Sequence, residues 1–541
     1  MSTLDVDVVV IGSGAAGLSA ALAAANAGVE VAVVEAADRW GGSTAVSGGG
    51  VWAPANHRLA EAGIDDSVRD ALTYCLDTSP GRDRGLVETF VRTAPEVIRF
   101  IEEHSPLRFA AVPSYPDTFA ERPGGKIARH VEPRPLTTGD LGPLESLVWP
   151  PPFGAPVLTY EEILRYRLFS GGAPPIELVE RRLAAGEVAL GVALVVGLLR
   201  GVTALGVRLV NNCRVRELLR TPDGSITGAL ADRGDASWQL SARRGVVLAC
   251  GGFEHDPALT AELLAGPLTH PVTPPVNRGD ALRLAGKAGA RLARTSEYWS
   301  WPAHQVPGEA WPDADTTPRP QLTMLERMLP HVLWVNASGR RFVNESSHNC
   351  AVAFAEVDPR TNQPRNVPAF AIGDAQFRDR YPVAGAVPGE PTPSWLVEAD
   401  TLAELAEALG IEAARLAATV TRFNEFARAG RDEDFGRGQT RYEHALGDAA
   451  ATHPNLGTVE VPPFFAMRVH PGAVGTKGGP LTDTRARVLG WDGEPIPGLY
   501  AAGNAMAAVF GPGTVAGGLT IASALVWGYL AGRDAADRQV G

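Results

Sequence analysis

The feature that most constrains how this chain folds is a glycine-rich turn near its N-terminus. An apolar run at 5–11 precedes the sequence GSGAAG at 12–17, and an alanine-rich segment at 18–27 leads to a second apolar run at 30–34. The β-branched residues of both runs are typical of buried parallel strands, and the spacing is that of one βαβ unit. The pattern predicts an α/β, Rossmann-like domain with a dinucleotide-binding turn.

Each glycine of this turn has its own physical reason. Gly12 permits the tight turn, Gly14 allows a pyrophosphate to approach the backbone, and Gly17 lets the helix pack closely on the strand. The helix that follows offers free N–H groups and a positive potential to the phosphates. Glu35, at the end of the second strand, is placed to accept hydrogen bonds from ribose hydroxyls.

Further glycine clusters point to the identity of the dinucleotide. The chain has 60 glycines in 541 residues, and many lie at 41–50, 251–252 and 498–503, after apolar runs. Flavoproteins of the two-dinucleotide-binding type resemble the stretch in which Gly41-Gly42-Ser43-Thr44 follows Glu35. The resemblance implies FAD, bound non-covalently because no histidine counterpart follows this stretch. The predicted FAD-binding residues are Gly12, Ser13, Gly14, Ala15, Ala16, Gly17, Glu35, Ala36, Gly41, Gly42, Ser43, Thr44, Ser47, Gly48, Gly49, Val215, Ala249, Gly251, Gly252, Asn277, Asp280, Gly503, Asn504, Gly518, Leu519 and Thr520.

Composition excludes several other classes of protein. The chain has 49 basic and 61 acidic side chains and a net charge of -12, which argues against a nucleic-acid binder. The four cysteines are far apart and predict neither a disulfide framework nor a metal site. The N-terminus has no signal-peptide pattern, and the apolar stretch 188–207 is interpreted as a buried helix rather than a membrane span. We therefore expect a cytoplasmic protein.

Along most of its length the chain resembles the fumarate reductase/succinate dehydrogenase flavoprotein superfamily, and within it the 3-ketosteroid dehydrogenases. The motifs that carry the resemblance are GTKGG at 475–479 and the segments 496–504 and 511–533. Shorter supporting stretches lie at 277–280, 296–299 and 339–345.

The resemblance implies a two-domain architecture. A FAD-binding domain would be formed by 1–284 and 441–541, and an inserted α+β capping domain by 285–440. The Pro-rich region 106–175 is interpreted as a surface loop, and the chain is expected to end on an apolar helix that begins near Leu519. Substrate would lie between the cap and the flavin ring.

The resemblance also implies a reaction, the α,β-desaturation of a cyclic or polycyclic ketone. A hydride would pass to flavin N5 and a proton to a basic oxygen, while hydrogen-bond donors polarise the ketone. The candidate catalytic residues are Thr514 and the Gly518 N–H as donors, together with Tyr298 and Tyr115. For Thr514 the alternative is an ordinary turn residue beside the flavin, and for both tyrosines it is a pocket wall.

Several departures from these families matter for function. Val474 and Gly475 stand where fumarate reductases carry a histidine pair, and 510–518 contains no arginine, so a dicarboxylate substrate is disfavoured. Where ketosteroid dehydrogenases carry tyrosines, this chain has Thr514, Thr118 and a segment containing His348. A small, apolar ketone or enone is therefore the expected substrate.

Two alternatives remain open at this point. The first is an ene-reductase of the fumarate-reductase type, which reduces an activated C=C bond. The second is a flavin-binding protein without dehydrogenase activity, suggested by the missing tyrosines. A dehydrogenase would need an external electron acceptor and an ene-reductase an external electron donor, because no second dinucleotide motif for NAD(P)H is evident.

Overall fold

The computed structural model describes residues 2–139, 141–152, 156–312, 317–324 and 326–539. Two large sheets organise these residues, one of eight strands and one of seven. The strands of the first sheet are Ser2–Ile11, Val31–Val34, Arg208–Val210, Arg214–Arg220, Ile226–Arg233, Ala236–Leu248, Arg487–Leu489 and Pro495–Ala501. Those of the second are His270–Pro271, Tyr298–His304, Gln321–Leu322, Val332–Asn336, Ala369–Gly373, Val397–Ala399 and Phe464–Thr476.

The first sheet confirms the predicted Rossmann-like core. Ser2–Ile11 lies between Val31–Val34 and Ala236–Leu248, and it is parallel to both. Pro495–Ala501 runs parallel on the far side of Ala236–Leu248. The carboxyl ends of these parallel strands therefore meet at one edge, where open α/β sheets bind ligands.

The second sheet caps that edge. Its central strand, Phe464–Thr476, pairs with Tyr298–His304 on one side and with Ala369–Gly373 on the other. The sheet thus continues past residue 440, the predicted end of the inserted domain. The predicted boundary at 441 is not marked by a change of sheet, because a strand that begins at Phe464 is shared with the cap.

The remaining strands form small ladders, and fifteen α-helices lie in the described part of the chain. The small ladders pair Val51–Trp52 and Phe109–Ala111 with His130–Pro133, Leu136–Thr137 with Glu187–Val188, Leu292–Ala293 with Gly479–Pro480, and Val357–Asp358 with Gln363–Pro364. The helices are Ala15–Asn26, Gly42–Ala45, His57–Glu61, Val68–Thr78, Arg84–His104, Tyr160–Arg165, Ile176–Ala184, Leu190–Ala204, Pro257–Leu263, Asp280–Lys287, Ala375–Arg378, Leu402–Leu409, Ala413–Ala429, Arg441–Leu446 and Leu519–Asp537.

The region 106–175 is not the surface loop that its composition suggested. Phe109–Ala111 and His130–Pro133 form a small sheet with Val51–Trp52, and Tyr160–Arg165 is helical with Thr159 as its N-cap. Tyr115 and Tyr160, which belong to this region, line the main cavity. The strand partner lies some eighty residues away, so local periodicity carried no signal for this pairing.

The segment 188–207 contains the predicted buried helix, Leu190–Ala204, which precedes the strand Arg208–Val210. No helix in the described ranges is long and apolar enough to cross a membrane. Cys75, Cys213, Cys250 and Cys350 are all free thiols. Within the same ranges, no group of acidic, histidine or cysteine side chains could hold a metal ion.

The first and last long helices pack through glycine. A Cβ at Gly528 would lie 2.2 Å from the Ala16 carbonyl oxygen, and one at Gly532 would lie 2.2 Å from that of Ala20. The Ser19 hydroxyl donates to the Leu525 carbonyl at 2.8 Å across the same contact. The two helix backbones therefore touch directly.

This contact predicts whether a substitution at Gly528 raises or lowers the stability of the protein. In an ordinary helix interior Gly→Ala stabilises by about 1 kcal/mol, but Gly528→Ala should lower the free energy of unfolding by about 1–3 kcal/mol because the new methyl group has no space. Urea unfolding of the apo-protein measures it. The control is Gly139→Ala, whose Cβ would meet no atom within 4 Å. Equal stability of the two variants would contradict the account.

Candidate functional site: a flavin cavity between two sheets

A cavity of about 790 Å³ lies where the two sheets meet. Its walls combine the carboxyl-end turns of the first sheet with the cap strand Tyr298–His304, the region around Tyr160 and the loop before the last helix. The volume is in the range of small-molecule and cofactor sites.

The glycine turn at 12–17 forms one end of this cavity. Gly12 has a φ of +106°, and a Cβ there would lie 2.4 Å from the Ala249 carbonyl oxygen. Gly17 packs against Gly12, as predicted, since a Cβ would lie 1.9 Å from the Gly12 carbonyl oxygen. A Cβ on Gly14 would meet only Thr44 Oγ1 at 3.5 Å and Gly41 O at 3.9 Å, so space is open above the helix N-terminus.

Glu35 holds the turn in shape as well as facing the cavity. Ser13 donates from its backbone N at 3.0 Å and from Oγ at 2.7 Å to Glu35 Oε2. The Ala37 N–H donates to Oε1 at 3.0 Å. Burial raises the pKa of this carboxyl, and the hydrogen bonds from Ala37 and Ser13 oppose the shift. The predicted ribose acceptor is therefore also the residue that fixes the Ser13 side chain.

Most predicted FAD-binding residues meet at this cavity although they come from distant segments. All of them line it except Gly17, Gly41, Gly252 and Leu519. These four serve close packing instead: a Cβ on Gly41 would lie 2.8 Å from the Val195 side chain, and one on Gly252 would lie 2.1 Å from Thr476 Oγ1. Leu519 is fully buried in the core.

A polar contact that sequence reasoning missed links Asn277 to the glycine-rich segment at 41–50. Asn277 Nδ2 donates to Ser43 Oγ at 3.1 Å and to Glu254 Oε1 at 2.8 Å. Thr273 Oγ1 donates to the same Glu254 oxygen at 2.8 Å. Glu254 is buried and lies just after Gly251-Gly252, so its role is to orient Asn277 toward the cavity.

The last helix begins at the cavity as predicted. Gly518 is its N-cap, with a φ of +80°, and a Cβ there would lie 2.8 Å from the Gly50 carbonyl oxygen. The Gly518 N–H has no acceptor among the described residues. The free N–H groups of this helix favour negative charge in the adjacent space.

The loop before this helix is held by Asn349 of the cap and by Lys477, which directly follows the strand Phe464–Thr476 of the second sheet. Asn349, from the cap, forms a two-way clamp: its Oδ1 accepts from Thr514 N at 2.8 Å and its Nδ2 donates to Thr514 O at 3.0 Å. The Lys477 ammonium donates to the carbonyls of Pro512 and Gly513 and lies 4.1 Å above the Trp299 ring. Burial lowers the pKa of Lys477 to about 7. Lys477 therefore holds the loop before the last helix through two backbone carbonyls.

Thr514 and Tyr298, two of the predicted catalytic residues, line the cavity but have partners of their own. The Thr514 hydroxyl donates to Ala516 O at 3.0 Å, and the Tyr298 hydroxyl donates to Pro267 O at 3.2 Å. These bonds are those expected of a turn threonine and a wall tyrosine, the alternatives set out for them above. Their catalytic roles remain predictions.

Tyr115 belongs to a buried aromatic cluster. Its ring centroid lies 5.4 Å from that of Tyr160 and 6.0 Å from that of Tyr442. A Cβ on Gly517 would lie 2.4 Å from Tyr115 Oη, so this phenol oxygen lies beside the start of the last helix. Sequence reasoning missed Tyr160 and Tyr442, because they come from segments with no motif.

His348 extends this cluster. Its Nδ1 lies 2.6 Å from Tyr442 Oη, and its ring packs edge-on against Trp301 at 4.7 Å. Burial lowers the pKa of His348 to about 3, with a further contribution from Arg327, so the imidazole is neutral. The tyrosines absent at 118, at 514 and in the stretch 344–349 therefore do not leave the cavity without phenols.

The residues present fit FAD. The open space above Gly14, the buried acid at Glu35, the Asn277–Ser43 contact and the free helix N-terminus at Gly518 all face one continuous cavity. Together, fold and site define a flavoprotein oxidoreductase of the two-dinucleotide-binding type.

Comparison with known proteins identifies the family to which the chain belongs. Residues 7–521 match the family described as FAD binding domain, and the chain belongs to that family. It is 38% identical to 4-oxocyclohexanecarboxylate 2-dehydrogenase of Sinomonas cyclohexanicum, over 99% of this chain and 93% of the relative. It is also 38% identical to a 3-oxosteroid 1-dehydrogenase of Mycolicibacterium smegmatis, over 99% and 98% of the two chains.

A solved structure gives the same assignment. The crystal structure of 3-ketosteroid Δ1-dehydrogenase from Sterolibacterium denitrificans superposes with a TM-score of 0.92 and 32% identity, covering 98% of this chain and 99% of the other. The predicted family resemblance, the predicted fold and the predicted FAD cofactor are confirmed. The chain is an FAD-dependent oxidoreductase that acts on CH–CH groups.

The phosphate turn can be tested apart from folding. Gly14→Ala adds a methyl group that the protein itself accommodates, but the methyl group fills space that the pyrophosphate needs. We expect the variant to fold with unchanged thermal stability as apo-protein and to bind FAD about tenfold or more weakly, a loss of at least about 1.4 kcal/mol. The flavin-to-protein absorbance ratio and FAD titration measure it, with Gly139→Ala as control. Full retention of FAD would refute the assigned phosphate position.

The Asn349 clamp can be tested by hydrogen exchange. Asn349→Leu keeps the approximate size of the side chain but removes both hydrogen bonds to Thr514, each worth about 0.5–1.5 kcal/mol. Exchange of the backbone amides at 511–518 should accelerate about tenfold, as read by mass spectrometry. The control is Gln363→Leu on the exposed cap surface. Unchanged protection of 511–518 would show that Asn349 does not order the loop.

Proposed function

We propose that this chain catalyses the α,β-desaturation of a cyclic or polycyclic ketone. The observation that carries the proposal is the position of the Tyr115 phenol beside Gly517, the residue before the free N–H of Gly518, on the cavity wall that the last helix also forms. Desaturation next to a ketone needs a donor for the carbonyl oxygen and an acceptor for the α-proton, and these two groups supply them.

Gly518 is the carbonyl donor in this proposal. Its N–H has no other acceptor among the described residues, and the loop that carries it is held by Asn349 and Lys477. A fixed backbone N–H stabilises the negative charge that develops on the ketone oxygen without rearranging. Polarisation of the carbonyl acidifies the neighbouring C–H bond, so the α-proton can leave.

Tyr115 is the proton acceptor. Burial raises its pKa, while hydrogen bonding from Tyr442, the charge of Arg327 and hydrogen bonding from Tyr160 lower it. Burial raises the pKa values of Tyr160 and Tyr442 well above the usual one, so these two phenols stay protonated. Tyr115 is the phenol of the cluster that lies beside the start of the last helix. Protonated Tyr442 and Tyr160 then serve as donors to it.

Arg327 supports this assignment. Its guanidinium is fully buried 5.1 Å above the Trp301 ring and donates to the carbonyls of Thr323, Glu345 and Ser347. It has no carboxylate within 4 Å in the described part of the chain. A buried cation without a counter-anion favours the formation of an anion nearby. Phenolate at Tyr115 would supply that anion.

Bound FAD supplies the hydride acceptor at N5. The neighbouring wall residues, among them Trp299, Trp301 and Leu322, would exclude water and orient a flat ring. Turnover also needs an external electron acceptor, in keeping with the expectation from the sequence. The relatives named above act on cyclic ketones, which supports the same substrate class here.

The proposal predicts a difference between two tyrosines that both line the cavity. Tyr115→Phe should slow anaerobic reduction of the bound flavin by 4-androstene-3,17-dione or 4-oxocyclohexanecarboxylate by about 10²–10⁴-fold, because the proton acceptor is lost. Tyr298→Phe removes a hydroxyl already bonded to Pro267 and should change the rate only a few-fold. Stopped-flow absorbance measures both, with flavin content as the folding control. Equal rates in the two variants would contradict the role of Tyr115.

The pH dependence has a defined sign. Tyr115 must be deprotonated to accept the proton, and burial raises its pKa above the usual value. The flavin-reduction rate should therefore rise about tenfold per pH unit between about pH 7 and 9, since the reactive fraction rises in that proportion. The slope should disappear in Tyr115→Phe. A rate that falls with rising pH would overturn the assignment.

A further inference from the structure

Arg319 is a cavity-wall arginine that has no carboxylate partner among the described residues. Its side chain is 8% exposed and the residue lines the cavity. The guanidinium lies 4.5 Å above the Trp311 ring, and its Nη2 donates to the Pro150 carbonyl at 2.5 Å. The Nε is buried without a hydrogen-bond partner, and Nη1 makes no hydrogen bond to a described residue.

The charges around Arg319 do not neutralise it directly. Within the described ranges, no carboxylate lies within 4 Å of its nitrogens. Glu309 is an acid whose charge acts on Arg319: burial lowers the pKa of Arg319 and Glu309 raises it. The Glu309 carboxylate already accepts from Gln321 Nε2 at 2.6 Å. Glu326, on the same wall, accepts from Ala384 N at 3.2 Å.

A buried cation in this position lowers the stability of the fold, because the guanidinium loses its hydration. Removing a guanidinium from water costs several kcal/mol, which an aromatic face and one carbonyl offset only in part. An anionic ligand that enters the cavity would complete the compensation, and arginine is well suited to bind a carboxylate through two parallel N–H groups.

The strand pairing shows how far Arg319 lies from the part of the cavity near Trp301 and His348, where the reaction is proposed to occur. Arg319 precedes the strand Gln321–Leu322, which pairs with Ala303 and His304 at the end of the cap strand. Trp301, three residues earlier on that strand, packs on His348 and so belongs to the reacting end. Arg319 lies two residues before Gln321, the partner of His304, so about five residues of strand, or roughly 17 Å, separate it from the position of Trp301. The Arg319 side chain and a ring ketone with an acidic substituent opposite its carbonyl would together span this distance.

We propose that Arg319 binds a carboxylate on the substrate, so that the chain acts on cyclic ketones bearing an acidic group remote from the carbonyl. The proposal rests on the proposed function for the reaction, but the binding step is independent of it. The sequence predicted no substrate-binding arginine because 510–518 contains none. Arg319 comes instead from the cap, beside a hairpin that no motif marks.

The test of binding does not require turnover. Calorimetric titration of the FAD-loaded protein with cyclohexanecarboxylate and with cyclohexanecarboxamide compares an acid with a neutral analogue of the same shape. We expect Arg319→Gln to weaken binding of the acid about 10–100-fold, the effect of losing a charged hydrogen bond, and to leave the amide unchanged. Arg319→Lys should restore part of the acid affinity. Arg360→Gln, 86% exposed on the cap, is the control.

A kinetic arm compares 4-oxocyclohexanecarboxylate with its methyl ester. Arg319→Gln should raise KM for the acid about 10–100-fold and leave KM for the ester and the limiting rate for both compounds unchanged. Failure of every ketone to reduce the flavin would refute the proposed function and leave the calorimetric result standing.

Three results would overturn the Arg319 proposal. The first is no preference of the wild-type protein for acid over amide. The second is equal weakening of acid and amide in Arg319→Gln. The third is a loss of bound FAD in Arg319→Gln with unchanged affinity for the acid, which would assign the guanidinium to a cofactor phosphate.

Discussion

Direct backbone contact between the first and last long helices is the constraint on which the site depends. Gly528 and Gly532 let Leu519–Asp537 lie against the carbonyls of Ala16 and Ala20. The N-terminus of one helix then opens onto the cavity at Gly14 and that of the other at Gly518. Because helix N-termini favour negative charge, the pyrophosphate near Gly14 and the flavin ring near Gly518 would both meet a favourable potential. A wider helix separation would move these two helix N-termini apart.

The second requirement is that the two sheets complete one another. The loop that carries Gly518 comes from the FAD-binding part of the chain, but Asn349 from the cap and Lys477 at the end of the shared strand hold it. Tyr115 lies in the FAD-binding part of the chain, while Tyr442 and Arg327 lie in segments in or near the cap. In the proposed reaction, polarisation of the ketone and acceptance of its proton would therefore both depend on the cap, which would link substrate enclosure to chemistry.

Local sequence patterns predicted much of this arrangement, but the rest could not be predicted from them. The turn at 12–17, the acid at Glu35 and the last helix each carry their signal within a few residues, because strand and helix periodicity and glycine spacing are local properties. Tyr442, Asn349 and Arg319 carry none, since their importance arises only when separate segments meet. Comparison with the family motifs indicated missing tyrosines at 118, at 514 and in the stretch 344–349, but it could not reveal that Tyr160 and Tyr442 bring phenols to the same cavity.

The most direct test of the account is a single turnover without oxygen. The oxidised, FAD-loaded protein is mixed with an excess of a saturated cyclic ketone, and flavin absorbance is followed while the product is identified by mass. The account predicts bleaching of the flavin and one equivalent of an α,β-unsaturated ketone lighter by two hydrogens. A flavin that stays oxidised with steroid and monocyclic ketones alike, yet is reduced by dithionite, would contradict it.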